Sequence, residues 1–207
     1  MRGTPLALDT FANLKTAIAD HLNRDDLTSY IPDFITLAEA QMQRDLRRHY
    51  LRETRTTMTV DGQFESAPAD YAGVVRISIQ GKHRPLDLMS LAEMQRNRDM
   101  GDDTTGEPLA YAINGGDLEF WPTPDSSYTA DLVYIQKITA LSDANTSNWV
   151  LSNAPDAYLY GALIHSAPFL RDDERIGVWA ALYQSAIDGL NRASGEARHG
   201  ATGLRMR

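Results

Sequence analysis

Tyr111-Ala112-Ile113-Asn114-Gly115-Gly116-Asp117-Leu118-Glu119-Phe120 is the stretch whose reading decides the fold. Two short runs flank Asn114-Gly115-Gly116-Asp117, and these four residues tolerate the positive φ that a tight hairpin turn demands. The stretch therefore reads as an antiparallel hairpin with an exposed tip at 114–117. Glu119 alternates with Leu118 and Phe120, which puts it on the wet face of its strand. Trp121-Pro122-Thr123-Pro124 closes that strand, because proline has no N–H to give to a sheet. Tyr128 to Ile135 then supply a further extended run. The glycine pair is too short to cradle a phosphate, and its flanking strands account for it.

Upstream, period two holds back to Arg52. Thr54, Thr56, Met58 and Val60 precede the Asp61-Gly62 turn, Phe64 opens the next extended piece, and Val74 to Ile79 form another strand. Ser90 with Glu93 three residues on is a capping box for a short helix, and 100–106 reads as a loop. Before Arg52 the period is helical. Phe11, Leu14, Ile18 and Leu22 define one helix, capped by Asp9 or Thr10. A longer one over 31–49 has Pro32 in its first turn and an apolar stripe of Ile31, Phe34, Ile35, Ala38, Met42, Leu46 and Tyr50. Glu39, Arg44, Arg47 and Arg48 lie mainly off that stripe. Downstream, a polar loop ends near Asn153. One helix carries Tyr158, Leu159, Ala162 and Leu163 until Pro168 disturbs it. A last helix restarts at Asp172-Asp173 and runs through Ile176, Trp179, Ala180, Tyr183, Ile187 and Leu190. Helices, then strands, then helices indicate an α+β fold. The terminal helices pack on one another as a bundle and carry an inserted antiparallel β region. From about 193 the apolar period is lost, and 193–207 is expected to be a flexible arm.

Composition narrows the function. The chain has 207 residues, no cysteine and a formal net charge of −8. Thiolate and disulfide chemistry is excluded, and so are sulfur-ligated zinc sites. General attraction to nucleic acid is excluded too, since phosphate binding needs a basic surface. No run approaches the roughly 18 apolar residues of a membrane span, and the N-terminus lacks a signal-peptide pattern. A cytoplasmic place of synthesis without a membrane role is expected. His21, His49, His83, His165 and His199 are scattered without ligand spacing, so no metal or cofactor is expected. No Walker A, GxGxxG or GxSxG motif is present. Glu39, Glu107, Asp117 and Glu119 could in principle supply the carboxylate pair of a glycoside hydrolase, but each has a simpler place as a surface acid. A cell-wall (peptidoglycan) hydrolase and a non-viral cytoplasmic interaction domain are the alternatives left open. Tyr158, Tyr160 and Trp179 read as core or subunit-interface aromatics, and Arg44, Arg47 and Arg48 as a solvated face or as ion-pair donors to a neighbouring subunit.

Four pieces, in order, carry a family resemblance: Ile35 to Arg47 on the long helix, Gly106-Glu107-Pro108-Leu109-Ala110-Tyr111 before the hairpin, Trp121-Pro122-Thr123-Pro124 after it, and Pro155 to Leu163. In that order they resemble the head–tail adaptor (connector) proteins of tailed phages. The resemblance implies a structural virion protein and no enzyme. It implies a homo-oligomeric ring, commonly twelvefold, that joins the portal protein to the next tail component (nozzle, stopper or tail tube). DNA would pass through its lumen without specific binding. It further implies one adaptor domain over 1–192, with helices in 10–51 and 153–192 and a β insertion over 52–137. The arm would reach the portal through Arg198, Leu204, Arg205, Met206 and Arg207. The 114–117 tip would meet a tail component or a neighbouring subunit, and Arg44, Arg47, Arg48, Tyr158, Tyr160 and Trp179 would be available to the ring interface. Assembly would take place in the host bacterial cytoplasm.

Overall fold

The computed structural model describes residues 8–46, 49–82, 84–102, 105–170 and 174–199. The chain divides into a helical unit, 1–51 with 138–207, and a β unit, 52–137.

In the helical unit, α1 (Phe11–Leu22) begins where the Thr10 hydroxyl accepts the Asn13 N–H, and it stops at Asn23, which adopts a left-handed φ of 50°. Its buried stripe is Phe11, Leu14, Ile18 and Leu22. A 3-10 segment, Asp25–Tyr30, leads into α2 (Ile31–Asp45), with Pro32 in the first turn where no N–H is missed. The helix ends four residues before the expected 49. His49 turns inward instead, donating from Nε2 to the Leu190 carbonyl at 3.1 Å and stacking on Trp149 at 4.7 Å. Tyr50, expected on the apolar stripe, is consequently exposed. After the β unit come α4 (Trp149–Asn153), capped by Asn148, then α5 (Pro155–His165) and α6 (Arg175–His199). Helix α4 was not expected from sequence; one side chain, Asn148, converts the end of a polar loop into a helical turn. Helix α6 runs to His199, past the expected end at 192. Within that added stretch Ser194 is buried and accepts the Tyr50 N–H at 3.1 Å.

Helix α5 is the axis of this unit. It packs against α1, α2, α4 and α6, and Ala157, Tyr158, Leu159, Gly161, Ala162 and Leu163 are all buried. Gly161 permits the crowding: a Cβ there would lie 3.1 Å from the Ala38 Cβ and 3.3 Å from the Tyr183 ring.

The β unit holds two sheets. β1 (Glu53–Val60), β7 (Tyr128–Gln136) and β3 (Tyr71–Ile79) form an antiparallel sheet with β7 central. β2 (Phe64–Ser66), β6 (Asp117–Trp121), β5 (Ala110–Asn114) and β4 (Asp87–Leu88) form the second in that order, antiparallel except for the parallel β4–β5 edge. Val60, Ile77, Ile79, Ala130, Leu132 and Tyr134 of the first sheet share one core with Tyr111, Leu118 and Phe120 of the second. The Tyr134 hydroxyl donates to Asp70, and burial together with that carboxylate pushes its pKa up to about 12.

The other face of the second sheet is covered as well. Helix α3 (Leu91–Asn97), opened by the Ser90/Glu93 capping box, packs on β5 through the buried Met94. Arg98, just after it, donates to the Phe120 carbonyl at 2.8 Å and lies 3.4 Å from Glu119. Glu119 is therefore buried, not on a wet face, and also accepts from Gln63 at 3.1 Å. Strand alternation alone could not show that an arginine from a following turn would close over it.

The β5–β6 hairpin forms as read. Gly115 has φ +64°, residues 114–116 are exposed, and Ala67 N–H donates to the Gly116 carbonyl at 3.1 Å. A β-branched side chain is strained at that φ, so Gly115→Val is expected to lower stability by about 1 kcal/mol or more. Urea unfolding of the full chain measures this; an unchanged midpoint would show that the turn relaxes into another geometry.

Candidate functional surfaces

The acids that might have formed a catalytic pair are each engaged separately. Glu39 sits buried on α2, where its Oε1 accepts the Leu141 N–H at 2.7 Å and the Tyr158 hydroxyl at 3.0 Å. Asn148 completes this group, donating to the Tyr158 oxygen at 2.6 Å and to the Thr139 carbonyl at 2.8 Å, while its own oxygen caps α4 through Leu151 N–H. Burial raises the Glu39 carboxyl above its ordinary range, and the two donated hydrogen bonds pull the other way. Burial, with the Glu39 charge beside it, drives the Tyr158 phenol far above its usual value. The chemistry available to this group is fastening: one carboxylate ties the 138–148 connection and α5 to α2. Sequence periodicity had placed Glu39 off the buried stripe, and no local signal marks the loop amide it serves.

Of the other candidates, Glu107 pairs with Lys82 at 2.9 Å and Asp117 accepts the Ser66 hydroxyl at 3.0 Å. His165 donates to Gln41 at 3.1 Å, and burial, then the nearby Arg44 charge, lowers its pKa. Among the described residues no group of three or more His, Asp or Glu side chains is arranged to hold a metal ion. No described helix is long and apolar enough to cross a membrane.

The surface candidates separate into three groups. Arg44 is exposed and Tyr160 half-buried. Tyr158, with no exposed surface, and Trp179, at 5%, belong to the core of their own unit and offer little to a neighbour. The reason is that α5 packs against α1, α2, α4 and α6, and that Arg175 lies over the Trp179 ring at 5.1 Å. Arg47, Arg48 and 204–207 lie outside the described residues; Arg198 is in the last turn of α6, its side chain outside them. Sequence reading missed two apolar surfaces on the helical unit. Val178 and Leu182 stand exposed on α6, where only the inward residues had been assigned. Tyr30, Leu37 and Phe169 are also exposed, with the Tyr30 and Phe169 rings 5.1 Å apart.

The class of protein is the phage head–tail adaptor. The family model for the SU10 adaptor protein matches residues 9–207, and the chain belongs to that family. It is a structural component of a phage particle. No curated protein matches the chain.

The Glu39 group has a measurable pH signature. A carboxyl raised in the folded state contributes stability that is fully present below its unfolded value, near 4.5, and that is lost as pH rises through the folded one. Urea midpoints of the wild type should therefore carry a component that falls as pH climbs above about 4.5. Glu39→Gln should remove that component. Glu39→Ala, which leaves the Leu141 amide and the Tyr158 hydroxyl without their acceptor, should lower stability by about 1–3 kcal/mol. Identical pH profiles for wild type and Glu39→Gln would show that Glu39 is not the titrating group.

Proposed function

We propose that this chain is the subunit of a twelvefold ring that joins the portal protein to the next tail component and continues the DNA channel. The observation that carries the reading is the family match through residue 207, which takes in both units and the segment beyond α6. Charge supports it. Twelve chains of −8 sum to −96, and a channel wall bearing part of that charge lets DNA slide without sticking. The β unit is the more acidic part: 52–137 hold 14 of the 28 acids and 8 of the 20 bases. DNA contact is then non-specific and repulsive, and the protein's work is structural, carried out in a particle assembled in the bacterial cytoplasm.

In this reading the last turn of α6 and the segment after it form the portal-binding arm. Arg198, Arg205 and Arg207 meet acidic groups, and Leu204 and Met206 are apolar anchors. Twelve arms bind together, each raising the effective concentration of the next, so a weak single contact becomes firm attachment. The Asn114-Gly115-Gly116-Asp117 tip meets the tail component (nozzle, stopper or tail tube) or an adjacent subunit.

Because α6 continues to His199 and its Ser194 is buried, the informative truncation starts at Gly200. Removing 200–207 should leave the melting temperature nearly unchanged and abolish attachment to portal-bearing heads. Normal attachment of the truncated chain would remove the arm from the portal contact. Electron microscopy of the portal-bound protein checks the symmetry; a ring of another order would correct the stoichiometry.

A further inference from the structure

Helix α1 turns Phe11, Leu14, Ile18 and Leu22 to the core. Off that stripe, Ala12, Thr16 and Ala19, at spacings of four and three, lie along one wall of a groove of about 540 Å3. Thr28, Ile31 and Pro32, from the 3-10 segment and the first turn of α2, form the other wall. Lys15 and Ser29 also line it.

The polar groups of these walls are largely occupied elsewhere. The Thr16 hydroxyl donates to the Ala12 carbonyl at 3.1 Å, and the Thr28 hydroxyl to the Asp25 carbonyl at 3.0 Å. Both threonines are thereby left with their methyl groups as free surface. The Lys15 ammonium is held by Asp143 at 3.1 Å and lies 4.3 Å from the centre of the Phe11 ring. A groove finished in this way suits an uncharged, mainly apolar segment.

The chain holds such a segment, and it begins beside the groove. Residues 1–7 lie outside the described residues; Leu8, which follows them, packs on the helical core four positions before Ala12. Gly3-Thr4-Pro5-Leu6-Ala7-Leu8 carries no charge, and Arg2 stands before it. Length and charge order both match. From Ala12 to Ala19 the helix rises about 10 Å, and residues 3–7 span about 17 Å when extended. A chain that turns back at Asp9-Thr10 therefore covers the groove from end to end. Arg2 then arrives just past Ala19, where the Asp20 carboxylate is exposed. Tethering favours this segment over the same segment of a second copy, because a short link gives an effective concentration of about millimolar.

We propose that residues 3–7 of this chain lie in its own groove between α1 and the start of α2, with Leu6 as the apolar anchor and Arg2 beside Asp20. The segment straps the two helices together and closes that side of the helical unit to neighbours. This goes beyond the ring reading and does not depend on it. The chain has no cysteine, so single thiols report on the groove. In the full-length protein, Thr16→Cys should react with a water-soluble disulfide reagent about tenfold more slowly than the same variant carrying Leu6→Asp or lacking residues 1–7. Thr57→Cys, exposed on β1, should react at one rate in all three backgrounds, which separates uncovering of the groove from loss of fold. Leu6→Cys with Thr16→Cys, oxidised at low protein concentration, should close a disulfide within one chain. Equal Thr16→Cys rates in all backgrounds, or no disulfide, would overturn the proposal. Disulfides formed only between chains would overturn it too, since the groove would then receive the segment of a second copy.

Discussion

The close approach of three helices at Gly161 is the constraint on which the helical unit depends. Residues from both arms of the sequence meet there, Ala38 from before the β unit and Tyr183 from after it, with a separation that leaves no room for a side chain on α5. Interiors packed to this density respond to a single added carbon. The rest of the unit follows from that crowding. Helix α5 packs against four other helices, Tyr158 lies wholly inside, and the Tyr158 hydroxyl then requires a buried acceptor, which Glu39 supplies. The same carboxylate reaches the Leu141 amide and holds down the connection that returns from the β unit.

The β unit solves a related problem differently. Its second sheet buries both faces, one against the first sheet and one under α3. The covered carboxylate of Glu119 is met by Arg98 and Gln63 within the unit. In both units a buried acid joins segments distant in sequence, so the two polar groups act as fasteners between elements that apolar packing alone would hold less specifically. A buried acid is tolerable only with such partners, and in each case they come from a different element.

Much of this was legible in the sequence because it depends on local rules. The Asn114–Asp117 turn, the Ser90/Glu93 box and the change from helical period to period two near Arg52 each reflect chemistry within a few residues. What was not legible depends on distant partners. Glu39 and Glu119 look like surface acids until Leu141 and Arg98 are brought beside them. His49, past the end of α2, takes up an inward place because a carbonyl on α6 lies within its reach. Asn148 makes a helix from the end of a loop by capping it. The exposed Val178 and Leu182 of α6 were missed for a simpler reason: each stands next to a residue of the inward stripe, Trp179 and Tyr183, and the helical period picks out the stripe.

The pairing of β1 with β7 has one more consequence. Glu53 lies opposite Ile135, and Arg52 donates to the Gln136 carbonyl at 2.9 Å, so the first and last residues of the insertion are side by side. To the helices on either side, the whole of 52–137 therefore closes like a short loop, with little entropic penalty for its length. An insertion with clasped ends is a cartridge. Evolution can exchange or remodel it while the helices that carry it keep their packing.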